Sequence, residues 1–185
     1  MSGAAVLFRG FLFRGNQLSK FGSRVQPRPL HVYIRQPFTQ TGADDQVILE
    51  GAMSELRSLQ STANINFLMR PEAQNAETFK TNFEQDTGIK FTPKNFRDYR
   101  LAKLQTADAF IFLRTGLSES GAFELAVNAY GRKIPTLMAI WDKTPIKTTL
   151  LRELEDTLPI DYVHFGSPRE LHSILRDFFQ RHFRR

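Results

Sequence analysis

From residue 31 onward the chain alternates short apolar runs with longer amphipathic stretches. His31-Val-Tyr-Ile-Arg35 follows Pro27 and Pro29 and reads as a first strand. Thr41 to Leu59 reads as a helix, with Thr41 as cap, Asp44 and Asp45 in the first turn, and Val47, Ile48, Met53, Leu56 and Leu59 as a loose apolar stripe. Asn64 to Met69 predicts a second strand. Residues 70–94 are polar, hold Pro71, Gly88 and Pro93, and are expected to form a long insertion or mobile loop. Asn95 to Thr106 predicts a helix, and Ala109-Phe-Ile-Phe-Leu113 a strand buried on both faces.

A helix is expected from Ser118–Gly121 to Tyr130, closed by Gly131, and a strand from Ile134 to Trp141. Thr144-Pro145 places a cap before a proline and predicts a helix to about Thr157. Ile160 to Phe165 reads as the last strand. Ser167-Pro-Arg-Glu170 has the capping-box pattern and opens a final helix that turns Leu171, Ile174, Leu175, Phe178 and Phe179 inward. Five strands alternating with five helices predict an α/β fold: a flavodoxin-like open parallel sheet of order 2-1-3-4-5 with helices on both faces. In such a sheet the site lies where the first and third strands end. Gln36-Pro37-Phe38 and Arg114 to Gly121 are expected to meet there.

The chain has 185 residues and a net charge of +6, and the charge is unevenly placed. Residues 1–43 carry six bases (Arg9, Arg14, Lys20, Arg24, Arg28 and Arg35) and no acid; the remainder balances 19 bases against 19 acids. A neutral body argues against a nucleic-acid groove. Residues 1–29, rich in Arg, small residues and Phe/Leu, have the profile of a mitochondrial targeting arm, with residues 30–185 as the folded domain. Phe8, Phe11 and Phe13 in that arm would need a receptor, a membrane surface or a partner protein. No run of apolar residues is long enough to span a membrane. With no cysteine and four scattered histidines, no metal or other cofactor is expected.

One segment carries candidate chemistry. From Thr106 to Ala126 a buried strand runs into a Gly/Ser loop, and a helix is expected to open with a carboxylate, Glu124, in its first turn. Small residues let backbone N–H groups approach an anion or a sugar. The helix dipole alone also favours a glutamate there, so the segment by itself leaves both readings open.

Tyr33-Ile-Arg-Gln-Pro-Phe38, Ala107-Asp-Ala-Phe-Ile-Phe-Leu113 and Ser118-Glu-Ser-Gly-Ala-Phe-Glu-Leu-Ala126 together resemble the nucleoside 2-deoxyribosyltransferase family. The resemblance implies that Glu124 is the nucleophile that attacks the anomeric carbon and holds a glycosyl ester. It implies a ligand cradle from Pro37, Phe38, Ser118, Ser120 and Gly121. The departures from the family pattern are as informative. The family usually places an Asp eight residues before the Asp of its Ala-Asp pair; here that position, eight before Asp108, is Arg100. A guanidinium cannot supply the leaving base with a proton. Asp98 and Glu119 are the remaining donor candidates, with Asp98 about 200° round the helix from Arg100. Arg35 and Gln36 replace a small residue and a glycine, and are expected to block the sugar site together with Arg100.

These features predict a non-catalytic relative: an accessory subunit of a mitochondrial assembly (a respiratory complex, ATP synthase or ribosome) on the matrix side, held to other subunits through its arm. The alternatives are an active N-glycosidic transferase or hydrolase using Glu124, and a module that binds a nucleotide ligand through Arg35, Arg100 and the Ser120-Gly121 loop.

Overall fold

The computed structural model describes residues 28–37, 43–60, 64–75, 77–116, 118–144, 146 and 149–183. The arm expected over residues 1–29 lies outside them except for Arg28 and Pro29, as do Phe38 and the Thr41 cap. Five strands form one parallel sheet: β1 (Leu30–Arg35), β2 (Ile65–Phe67), β3 (Ala109–Arg114), β4 (Thr136–Trp141) and β5 (Ile160–Phe165). Their order is β2-β1-β3-β4-β5, as expected. Every residue of β3 and β4 is buried, which is why both strands read as unbroken apolar runs.

The helices α1 (Ala43–Gln60), α2 (Thr78–Thr87), α3 (Pro93–Thr106), α4 (Glu119–Tyr130) and α5 (Pro168–Phe183) cover the two faces. On one face, Leu49, Met53 and Leu56 of α1 and Leu171, Leu175 and Phe178 of α5 pack on Ile34, Ile111 and Ala139 of the sheet. On the other, Leu104 of α3 and Leu125 and Ala129 of α4 pack on Tyr33, Phe110, Phe112 and Met138. Asn128 pins α4 to the sheet. Its amide donates to the Ile134 carbonyl (3.1 Å) and the Thr136 hydroxyl (2.9 Å), and its oxygen accepts from the Ile134 N–H (3.0 Å). At the head of α5, the Ser167 hydroxyl accepts from the Glu170 N–H at 3.4 Å, and the Glu170 carboxylate accepts from the Gly166 N–H at 2.9 Å.

Several expectations are corrected. Val47 is 66% exposed and Leu49 fully buried, so the inward stripe of α1 is centred on Leu49 rather than Val47. The second strand is three residues long, not six. The segment 70–94 is not a loop throughout, because it contains α2. The Asn75 side-chain oxygen accepts from the N–H groups of Glu77 and Thr78 at the start of α2, and Gly88, at φ 67°, closes it. What holds the helix is aromatic packing. Phe83 is buried and meets Phe91, Phe96 and Tyr99 edge-on at centroid separations of 5.6–5.9 Å. Polar composition masked this, because the phenylalanines are widely spaced and meet only after the chain turns at Gly88.

The helix expected from Thr144 to Thr157 is also corrected. Among the described residues only a short 3₁₀ turn, Thr149–Leu151, occurs there. The Thr144 hydroxyl, instead of capping a helix, lies 2.9 Å from the Arg114 carbonyl and 3.0 Å from that of Trp141. Glu153 takes a left-handed conformation (φ 55°), which interrupts helical propagation. Among the described residues there are five α-helices, but two lie between β2 and β3, and only the 3₁₀ turn lies between β4 and β5.

Candidate functional site

The carboxyl ends of β1 and β3, where the strand order reverses, bring the singled-out residues together. The β1/β3 register sets Arg35 beside Phe112. Alternation then turns Arg35, Phe112 and Arg114 to the face covered by α3 and α4. α4 starts at the N-cap Ser118, whose hydroxyl accepts from the Gly121 N–H at 3.1 Å, and this sets the helix phase that buries Glu124.

Glu124 is 4% exposed and held by two arginines. Arg100 of α3 donates from Nε to Oε1 at 2.6 Å and from Nη2 to Oε2 at 3.0 Å, a fork-to-fork pairing. The Nε of Arg35 lies 3.7 Å from Oε2, and its Nη2 donates to the hydroxyls of Ser118 (2.8 Å) and Ser120 (2.6 Å). The Arg100 guanidinium also stacks 5.0 Å from the ring centre of Tyr33.

The charges respond to this arrangement. Burial opposes ionisation of Glu124, but the Arg100 and Arg35 guanidiniums outweigh it and hold the carboxyl below its usual range. Burial likewise opposes the charge on Arg100, and the Glu124 carboxylate more than offsets it, raising the pKa. For Arg35, burial and then repulsion from Arg100 win, and its pKa falls to about 10. All three side chains remain ionised at neutral pH.

Gln36 is turned elsewhere. Its amide donates to the Glu72 carbonyl at 2.8 Å and its oxygen accepts from the Gln74 N–H at 3.0 Å, clamping the chain that leads toward α2. Pro37 is buried at the end of β1. Asp98 is not brought to Glu124. Its side chain is 50% exposed and pairs with Lys94 at 2.5 Å and Arg97 at 3.7 Å. The hydrogen bond from Lys94 holds its pKa down, so it carries no proton to donate at neutral pH. Asp108 takes a structural position, accepting from the His31 N–H at 2.9 Å and from Arg28 at 2.7 Å.

Above the Arg–Glu–Arg cluster lies a cavity of about 560 Å³. Phe79, Phe91, Phe96 and Phe123 form its walls, with Arg100 and Glu124 at its floor and Glu119 also lining it. Thus α2, unforeseen in the sequence, supplies part of the cavity. Arg114 was expected at this edge as the start of the Arg114–Gly121 segment, but with no role of its own. Its only signal is a cation closing an otherwise apolar run. Among the described residues no group of three or more His, Asp or Glu side chains is placed to hold a metal ion.

Gly121 has a steric role. A Cβ there would meet the Phe112 ring, with Cε2 at 2.9 Å, and the Ser118 hydroxyl, also at 2.9 Å. Gly121→Ala should therefore cost about 1–3 kcal/mol through forced displacement of α4 from β3. A urea midpoint unchanged from the parent protein would contradict this close approach.

No family model matches the chain. No curated protein matches it either. Among solved structures it is similar to the CMP N-glycosidase of Clostridium botulinum. The match has a TM-score of 0.52 and 12% identity, and covers 80% of this chain and 98% of that one. The resemblance to the nucleoside 2-deoxyribosyltransferases therefore holds at the level of the fold, which this chain shares with that enzyme.

Proposed function

We propose that the chain is a non-catalytic protein of the nucleoside 2-deoxyribosyltransferase-like fold, retained as an accessory subunit of a mitochondrial assembly on the matrix side. The observation that carries the first half is the bidentate Arg100–Glu124 pair. A carboxylate nucleophile needs a free oxygen lone pair directed at the anomeric carbon. Here both oxygens are engaged by one buried guanidinium, and Arg35 closes on the second. General acid–base terms are worth about 10²–10⁴ in rate. The position expected to hold the acid is Arg100 itself, and Asp98 faces away. Support for the second half is in the sequence: an acid-free basic arm over residues 1–29 joined to a body of balanced charge. In this reading the arm first directs import and then offers Phe8, Phe11 and Phe13 to neighbouring subunits.

The competing reading, an N-glycosidic enzyme using Glu124, draws on the cavity that Glu124 lines. Incubation of the purified chain with deoxynucleosides, deoxynucleotides and CMP discriminates between the two. The expected result is no base release above background and no change on Glu124→Ala. Turnover at enzyme-like rates, abolished by that substitution, would reinstate the enzyme. For the assembly, native isolation from mitochondria should recover the chain in a complex of defined stoichiometry. Recovery as a free monomer would refute that half.

A further inference from the structure

The outward face of α4 is apolar. Past Ser120 the helix exposes Phe123 (51%), Ala126 and Tyr130 (85%), with Val127 partly buried between them. Its one later charge, Glu124, is turned into the core. On α5, by contrast, the exposed positions are Ser173, Arg176, Asp177, Gln180 and Arg181. Single exposed apolar residues are ordinary on a protein surface, but a contiguous stripe marks a contact surface. Leu150, 84% exposed, stands on the turn that packs on the same side of the sheet.

The spacing identifies the occupant. Phe123, Ala126, Val127 and Tyr130 are separated by three, one and three residues, so the stripe reads the same from either end. A second α4, laid antiparallel across a two-fold axis between Ala126 and Val127, matches it position for position. Phe123 then meets the partner's Tyr130, and Ala126 meets the partner's Val127. The small Ala126 at the crossing lets the helix axes approach, and the aromatic rings pack on either side of it. The charges at the two ends agree with this direction. Glu119 opens α4, and Arg132 and Lys133 follow its last turn. Antiparallel pairing brings the acidic end of each helix to the basic end of the other and opposes the two helix dipoles. Parallel pairing would set like charges together at both ends.

We propose that α4 is a self-association surface, through which two copies of this chain pair antiparallel about a two-fold axis at Ala126–Val127. Phe123 also walls the cavity, so pairing brings the partner's Tyr130 to that wall. Pairing requires neither the mitochondrial assembly nor any reaction at Glu124, so its test fails separately from those above.

Sedimentation equilibrium of the full chain from about 1 to 200 μM spans the affinities of a modest interface. The expected result is a reversible monomer–dimer equilibrium within that range. Ala126→Arg places a good helix former at an exposed position; it should weaken dimerisation at least tenfold and leave Tm in dilute solution unchanged. The direction of pairing is read by cross-linking, since the chain has no cysteine of its own. Ala126→Cys, beside the axis, should give a disulfide-linked dimer under mild oxidation. Phe123→Cys should not, because its two copies lie about 10 Å apart along the helices, beyond disulfide reach. The double variant Phe123→Cys/Tyr130→Cys should cross-link again. A chain that stays monomeric throughout leaves the face to a different protein and overturns the proposal. So does Ala126→Arg dimerising as well as the parent protein, or Phe123→Cys cross-linking in place of Ala126→Cys.

Discussion

Glu124→Ala should destabilise the protein by about 3–5 kcal/mol, the usual cost of removing one partner from a buried ion pair. The reason is local. Arg100 and Arg35 are 3% and 2% exposed, and Glu124 is their shared carboxylate. Without it two buried guanidiniums remain with no carboxylate between them. The double variant Arg100→Met/Glu124→Leu should recover much of the loss, because apolar groups of similar volume often replace a buried pair at little cost. A double-mutant cycle from urea unfolding measures the coupling directly. A loss below about 1 kcal/mol for Glu124→Ala would mean that the pair behaves as a hydrated surface bridge and that the lock is open.

The same pair predicts a pH dependence. The carboxyl of Glu124 ionises below its ordinary value of about 4.5 in the folded protein. Its contribution is therefore fully present above the unfolded-state value and is lost as pH falls through the lower folded value. The stability difference between the parent protein and Glu124→Ala should be constant near neutrality and should shrink in acid, below about pH 4.5. A difference that instead grew on acidification would reverse the sign of the shift.

Phe83→Ala should cost about 3–5 kcal/mol, the range for emptying a buried aromatic site. Phe83 is 3% exposed and touches the rings of Phe91, Phe96 and Tyr99. With Phe79, which also packs on Phe96, it holds α2 to α3. Because the sheet does not share this cluster, the loss should be regional. Hydrogen exchange should accelerate over residues 78–91, while β3 and β4 keep their protection. The wall of the cavity formed by Phe79 and Phe91 would loosen at the same time. Uniform acceleration across the chain would show instead that α2 is an integral part of the main core.

The parts of the fold that were legible are those whose signal is local. β3 and β4 are buried on both faces, so each appears as a continuous apolar run. Their order follows from the βαβ handedness rule and needs no knowledge of side-chain contacts. The α5 start was legible because Ser167, Pro168 and Glu170 act on neighbouring backbone groups. Where the reading failed, the deciding contact was distant. Thr144 resembles a helix cap, yet its hydroxyl meets the carbonyl of Arg114, thirty residues earlier. The α2 segment is polar by composition and is held by rings from two turns of α3.

The site divides in the same way. The resemblance to the nucleoside 2-deoxyribosyltransferases singled out Glu124 and Arg100 as the informative positions, and helix geometry separated Asp98 from Arg100. Gln36, expected to block a sugar, is instead bound to backbone groups near residues 72–74, because its amide finds a closer match there. By itself the sequence determined the parallel α/β plan and the place of a carboxylate at its switch point, and the family resemblance added a cation where an acid was expected. Only the tertiary structure decided that this cation grips that carboxylate across 24 residues, that Arg35 joins it, and that Arg114 is buried. Periodicity and capping are written in neighbouring residues. The partner of a buried charge is chosen by how separate helices and strands pack, and that is settled only when the core closes.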